Sequence, residues 1–142
     1  MREILFRGKR VDNGEWVYGY MLMSEWNDSV YIVTQDECNY NAGGSYFDGC
    51  IEKVIPETVG QYTGLTDKNG TKIFEGDIVK FGDIIGVINY NFGCFCVKTN
   101  KPDWKSRNNP AIDIVFNEYP NEVEVIGNIH DNPELLKGET NA

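Results

Sequence analysis

The chain has 142 residues, a formal net charge of −9 and 41% hydrophobic residues. This length is typical of one domain or of two small subdomains. The acidic balance disfavours non-specific nucleic-acid binding, because a polyanion is repelled by a net negative surface. Aromatic residues at 13% and 15 glycines favour short strands joined by tight turns over a helical bundle.

The amino-terminal part predicts an antiparallel β meander. ILFRGKRV (4–11) and EWVYGYMLM (15–23) flank Asp12-Asn13-Gly14, whose residue types tolerate the positive φ of a hairpin turn. VYIVTQ (30–35) is rich in β-branched residues and predicts a third strand. The sequence therefore begins with a hairpin that extends into a three-stranded sheet.

A polar, glycine-rich stretch over 36–50 predicts a loop, and IEKVI (51–55) predicts a short strand. Pro56 ends this strand, because proline cannot donate a hydrogen bond to a strand ladder. We therefore predict an amino-terminal β-rich subdomain over 1–58 and a carboxy-terminal subdomain over 59–142.

The carboxy-terminal subdomain predicts short strands separated by turns such as Asp67–Gly70. Asn132 is predicted to cap a short final helix that begins at Pro133 and ends at Gly138. Two extended segments are predicted first, at 59–65 and 71–74. Five short strands follow, which are enough for a small barrel without open edges: 78–81, 84–90, 94–99, 111–116 and 122–129.

The first ten residues, MREILFRGKR, place charges where the apolar core of a signal peptide would lie. No run approaches the roughly 18 apolar residues of a membrane-spanning helix. The sequence therefore predicts a cytoplasmic protein without membrane association, whose thiols stay reduced.

The four cysteines allow two interpretations. Cys94 and Cys96 share one face of a predicted strand, and with Cys38 and Cys50 they form a candidate four-thiolate zinc site. Zinc sites usually place two to four residues between paired cysteines, which neither pair here does. Buried, reduced thiols are therefore the favoured interpretation, and no metal or cofactor is expected.

Two further candidates for chemistry are acidic residues and a histidine. Glu75 and Asp77 would lie on one side of an extended segment and could hold a cation or share a proton. The alternative, which is favoured, is that Gly76 makes a turn and that these acids are solvated or cap it. His130 is the single histidine, and a surface or capping role is favoured for it because no catalytic signature surrounds it.

Two groups of aromatic residues are candidate binding surfaces. Trp16, Tyr18 and Tyr20 alternate along the second strand and form either a ligand-binding face or, more often for this pattern, core or a subunit interface. A basic segment after the 94–99 strand has the composition of a single-stranded nucleic-acid platform, although an exposed loop is the simpler interpretation. Its residues are Lys98, Lys101, Trp104, Lys105 and Arg107, preceded by Phe95.

TVGQYTGLTDKNGTKIFEGDIV (58–79) and EVIGNIHDNPELL (124–136) resemble the YopX-like family of bacteriophage and prophage proteins, as does REILFRGKRV at the amino terminus. The resemblance covers approximately 1–137. It implies a β-rich amino-terminal part and a carboxy-terminal SH3-like barrel, and no catalytic residues. FEGDIVKFGDIIGVINY (74–90) is also similar to the start of KOW-type SH3-like barrels, which often contact nucleic acid or protein.

The predicted fold is therefore mainly β (α+β by class), with an amino-terminal antiparallel β meander, a carboxy-terminal SH3-like small barrel and a short final helix. The predicted function is that of a non-enzymatic phage accessory protein that forms homo-oligomers and binds a phage or host protein. The alternative is a nucleic-acid-binding module that uses the barrel and the 98–107 segment. An enzyme is the least favoured hypothesis, because only Glu75 and Asp77 offer a starting point for catalysis.

Overall fold

The computed structural model describes residues 3–34, 51–91, 93–99 and 109–136. They form a mainly β protein whose strands lie in two antiparallel sheets. The chain divides into two compact units, Met1–Tyr62 and Thr63–Ala142. No helix within the described ranges has the length and apolar character needed to cross a bilayer. The predicted loop over 36–50 lies outside the described residues.

The first unit is built on one antiparallel sheet. The strands are β1 (Phe6–Lys9), β2 (Trp16–Met23), β3 (Val30–Val33), β4 (Ile51–Val54) and β5 (Gly60–Thr66), with a 3₁₀ turn at Pro56–Thr58 before β5. Their order in the sheet is β4-β3-β2-β1-β5, and Phe6 pairs with Gly19 in the predicted hairpin. The hairpin and the third strand are therefore confirmed.

The first sheet curls, so that β4 also meets the end of β1. Arg10 forms an isolated antiparallel bridge with Val54, and the Ile55 N–H donates to the Lys9 carbonyl at 2.8 Å. Because side chains alternate across a strand, only one face of β2 can point toward the core of this unit. That core consists of Val30, Ile32 and Val54, with Phe6, Val17 and Val59 partly buried against it.

The elements of the second unit are β6 (Lys72–Phe74), β7 (Asp77–Phe81), β8 (Ile84–Asn91), β9 (Cys94–Thr99), α1 (Ile112–Glu118) and β10 (Glu124–Asn128). Four of the strands form an antiparallel sheet in the order β10-β7-β8-β9, whereas β6 follows β5 in the order of the first sheet. The hydrophobic core of the second unit includes the fully buried Ile73, Val79, Phe81 and Val115.

The predicted small barrel is not confirmed, because the described strands do not close on themselves. The sheet order leaves β9 and β10 at its two edges. Residues that follow β9 in the sequence would have to supply a closing strand. In the described part of that segment only Ala111 pairs with β9, through a single bridge to Cys96, and the chain then becomes helical.

The predicted strand at 111–116 is wrong, because these residues begin α1. The apolar side chains that pack on the core are spaced i, i+3, i+4 and i+7, which is one face of a helix. A short run rich in isoleucine and valine resembles a strand by residue type, whereas its spacing is helical. The four residues are Ile112, Val115, Phe116 and Tyr119.

The predicted turn at Asp67–Gly70 is confirmed, and a buried carboxylate organises it. Asp67 Oδ1 accepts the N–H groups of Asn69 and Thr71 at 2.8 and 2.9 Å. Its Oδ2 accepts the Val125 N–H of β10 at 2.9 Å. Burial tends to raise the pKa of Asp67, but these backbone donors and the charge of Lys68 outweigh it and leave the pKa below its ordinary value.

The predicted final helix is confirmed in its first turn. Residues 134–136 are helical, and the Leu135 N–H donates to the Asn132 carbonyl at 3.1 Å. The Asn132 side chain accepts the N–H of Asn128 at 3.2 Å, which ties the turn back to the end of β10. The predicted end at Gly138 lies outside the described residues.

Candidate functional site

The outer row is the group of side chains Tyr18, Tyr20 and Leu22 on the face of β2 that points away from the core. They alternate along the strand and are 47%, 50% and 49% exposed. A single exposed apolar residue is ordinary on a protein surface, whereas a contiguous group of them is a candidate site of interaction. The interpretation of Tyr18 and Tyr20 as core residues is therefore wrong, because both side chains face solvent.

The outer row continues toward the turn between β2 and β3. Leu22 pairs with the half-buried Tyr31, and Trp26 in the turn is 95% exposed. An indole this exposed is unusual, since tryptophan carries one of the largest apolar surfaces of any side chain. A groove of about 350 Å³ lies here, lined by Leu22, Met23, Ser24, Glu25, Trp26 and Tyr31.

The opposite end of the same face is cationic. Arg7 pairs with Tyr18 across β1 and β2, and Lys9 pairs with Trp16. The Arg7 guanidinium carbon lies 4.6 Å from the centroid of the Trp16 ring, and the Lys9 Nζ lies 5.5 Å from it. Both distances fall within the roughly 6 Å range of a cation–π contact. The half-buried Trp16 is thereby held under two positive charges, next to the apolar row.

The acidic pair Glu75 and Asp77 does not form a shared site. Asp77 is only 2% exposed, and its Oδ2 accepts the Phe74 N–H at 2.7 Å. This bond closes the turn around Gly76 between β6 and β7, while Glu75 is half-buried. Among the residues that the structure describes, no three His, Cys, Asp or Glu side chains come together as a metal site.

The structure describes only part of the basic segment. Lys98 is exposed on β9, whereas Lys101, Trp104, Lys105 and Arg107 lie outside the described residues. The neighbouring Phe95 is half-buried and packs edge-to-face on Tyr90, with the ring centroids 5.1 Å apart. The idea that the segment forms a nucleic-acid platform therefore stays a prediction.

The remaining candidates are the histidine and the cysteines. His130 is half-buried in the turn after β10, and its backbone N–H donates to the Asn128 Oδ1 at 3.0 Å. The predicted same-face placement of Cys94 and Cys96 is confirmed, because their sulfur atoms lie 3.6 Å apart. The prediction that both thiols are buried is wrong for Cys94, which is exposed at the start of its strand, whereas Cys96 is buried. Cys38 and Cys50 lie outside the described residues, so the predicted four-thiolate arrangement stays a prediction.

The sequence reasoning missed part of the exposed face. It marked Tyr18 and Tyr20 but did not extend the alternation to Leu22, although that residue continues the same period of two. It also gave no role to Trp26 in the turn. Both were accessible signals, since a hairpin turn lies on the surface and an indole there has little chance of burial.

Comparisons with known proteins identify relatives over nearly the whole chain. A model of the YopX protein family matches residues 5–137. The solved structure of protein EF1440 from Enterococcus faecalis is 25% identical, covers 96% of this chain and 99% of its own, and superposes with a TM-score of 0.56. No curated protein matches the chain.

Proposed function

Since the chain belongs to the YopX protein family, with the family model matching residues 5–137, we propose that it is a phage or prophage accessory protein that acts by binding and not by catalysis. It self-associates and contacts a phage or host protein in the cytoplasm of a bacterial host. The observation that carries this proposal is the outer row of β2. Three large side chains in adjacent positions, each about half exposed, are the composition of an interface.

Self-association through the outer row has a clear driving force. Burial of a large apolar side chain contributes about 1.5–3 kcal/mol relative to leaving it in water. Tyr20 is the middle residue of the row and Leu22 its end, where Tyr31 extends the row onto the next strand. Two copies that bury these residues against each other would also keep the acidic remainder of the chain in solvent, where its charges are screened.

The test is the mass of the full chain in solution, measured by light scattering after gel filtration at micromolar concentration. We expect an oligomer, and we expect Tyr20→Ser combined with Leu22→Ser to weaken its association by at least about tenfold. Each side chain is about half exposed, so the two substitutions together remove roughly 1.5–3 kcal/mol of interfacial burial. The matched control is Tyr90→Ser, which removes an equally exposed tyrosine from β8. A strict monomer for the unmodified chain would contradict self-association.

We further propose that the second unit is related to an SH3-like barrel. Two observations support this relation. In chain order, β7 is the first strand of its sheet and β10 the last, and the two are antiparallel neighbours, as closure of a small barrel requires. The single bridge between Cys96 and Ala111 stands where a further strand would pair with β9.

Nucleic-acid binding is the second candidate function, supported by exposed Lys98 and by half-buried Lys9, whose Nζ lies over the Trp16 ring. Because the net charge is −9, we expect no gel shift with single-stranded DNA or RNA at physiological salt. A shift that Trp104→Ala and Lys105→Ala abolish, but that the control Lys72→Ala on β6 retains, would replace the protein-binding proposal with this one.

A further inference from the structure

The thiols of Cys94 and Cys96 form a pair near the start of β9. Their sulfur atoms lie 3.6 Å apart, and both lie beside the Asn91 carbonyl oxygen, at 3.5 and 3.8 Å. The turn at Gly93, whose φ is +79°, reverses the chain so that Asn91 and Cys94 form the last pair of β8 and β9. Two sulfurs and one oxygen therefore converge at the tip of a hairpin.

The pair is open to solvent on one side. Cys94 is exposed, whereas Cys96 is buried. Two cysteines on one face of a strand are ordinarily core residues, but burial cannot account for an exposed Cys94 whose thiol points at its neighbour. Cys94 is therefore accessible from solvent, and the Cys96 sulfur lies directly behind it, at 3.6 Å.

The geometry disfavours a disulfide between these residues. Residues i and i+2 of an extended strand have Cα atoms roughly 6.6–6.8 Å apart. Disulfides mostly span about 5.5–6 Å, with an upper limit near 6.8 Å. Closing the bond would therefore require the strand to buckle, and the strained product would be easily reduced.

The same geometry suits a tetrahedral metal ion. An ion placed at the roughly 2.3 Å length of a zinc–sulfur bond from both atoms, which are 3.6 Å apart, subtends an angle of about 103°, close to the tetrahedral value. A linear two-thiolate ion would need the sulfurs about 1 Å farther apart than they are, given the same bond length. The distance between the sulfurs thus selects for tetrahedral coordination.

We propose that Cys94 and Cys96 chelate a thiophilic divalent ion of the Zn²⁺ class, with the remaining positions open to water or to an exogenous ligand. Among the described residues, no third Cys, His, Asp or Glu side chain joins the pair. Each sulfur releases its proton to solvent as its bond to the metal forms, so that two protons leave for each ion bound.

The experiment titrates the reduced full chain with Co²⁺, whose thiolate complexes absorb in the near ultraviolet, and then displaces it with Zn²⁺. We expect one ion per chain and at least about tenfold weaker binding in Cys94→Ser. Since Cys94 is exposed, this variant should keep the fold, which circular dichroism checks. The matched control, Cys38→Ser combined with Cys50→Ser, should bind as the unmodified chain does.

Three results would overturn the site. Binding that persists in Cys94→Ser would place the ion elsewhere. Binding lost in the Cys38→Ser, Cys50→Ser control would mean that four thiolates are needed. Treatment with oxidised glutathione that removes two titratable thiols from the unmodified chain, but not from Cys94→Ser, would show a disulfide pair in place of a chelate. None of these outcomes bears on the outer row.

Discussion

Replacement of Asp67 by alanine is expected to lower the free energy of unfolding by about 3 kcal/mol at neutral pH, since removing a carboxylate that satisfies buried donors costs the desolvation of each. The carboxylate accepts three backbone N–H groups, from Asn69, Thr71 and Val125. The last of these holds the turn after β5 to the start of β10. Chemical denaturation of the unmodified chain and the variant measures the loss.

The contribution of Asp67 should depend on pH in one direction. The folded-state pKa of Asp67 is lowered, so the folded protein binds its proton less tightly than the unfolded chain does. The stabilisation is therefore fully present above the unfolded pKa of about 3.9. It disappears as the pH falls through the folded value. The difference between the unmodified chain and Asp67→Ala should be constant near neutrality and shrink below about pH 4.

Two further variants serve as a control and as a conservative comparison for Asp67→Ala. Asp83→Ala removes an exposed acid from the turn between β7 and β8 and should change stability by less than about 0.5 kcal/mol. Asp67→Asn keeps an oxygen for Asn69 and Thr71 but presents an amide donor to the Val125 N–H, so an intermediate loss is expected. An Asp67→Ala protein as stable as the Asp83→Ala control would refute the role of this carboxylate.

Alanine at Gly19 is expected to destabilise the first unit by about 3 kcal/mol or more, because overpacking against backbone cannot relax by a side-chain rotation. A Cβ at this position would lie inside contact distance of the Val33 carbonyl group, and against the Ile32 side chain. The change should also weaken self-association, because Gly19 lies between Tyr18 and Tyr20 of the outer row.

Hydrogen exchange of β2 and β3 amides measures this effect locally, alongside denaturation of the whole chain. The control is Tyr20→Ala, the next residue on the same strand, whose side chain is 50% exposed. We expect that variant to retain nearly all its stability, within about 0.5 kcal/mol, while its association is weakened. Equal stability of Gly19→Ala and Tyr20→Ala would show that β2 and β3 accommodate the added methyl group without loss of stability, which would contradict the prediction.

Much of the strand pattern was predictable because it depends on neighbouring residues. The hairpin around Asn13-Gly14, the turn at Asp67–Gly70 and the strands of the second sheet follow from turn chemistry and alternation. The wrong strand prediction at 111–116 also has a local cause. Ala111–Phe116 is too short for residue type to separate a strand from a helix, and the core contacts of Val115 and Tyr119 decide for the helix.

The candidate sites were predictable in part. Alternation placed Tyr18 and Tyr20 on one face of β2, but the sequence could not say whether that face is buried. The same uncertainty applied to Asp77, which is buried and accepts the Phe74 N–H in the turn before β7. Burial depends on which elements pack together, and a residue's neighbours in sequence do not report it.

By itself, the sequence determined the mainly β class, the family and the positions of the turns, because glycine, asparagine and proline act through local backbone geometry. Only the tertiary structure decided that the strands of the second sheet leave two edges, that Asp67 reaches Val125, and that the outer row faces solvent. These features join residues far apart in the chain: Asp67 and Val125 are 58 positions apart. Such contacts are fixed by packing and hydrogen-bond satisfaction in the whole fold, which no local pattern encodes.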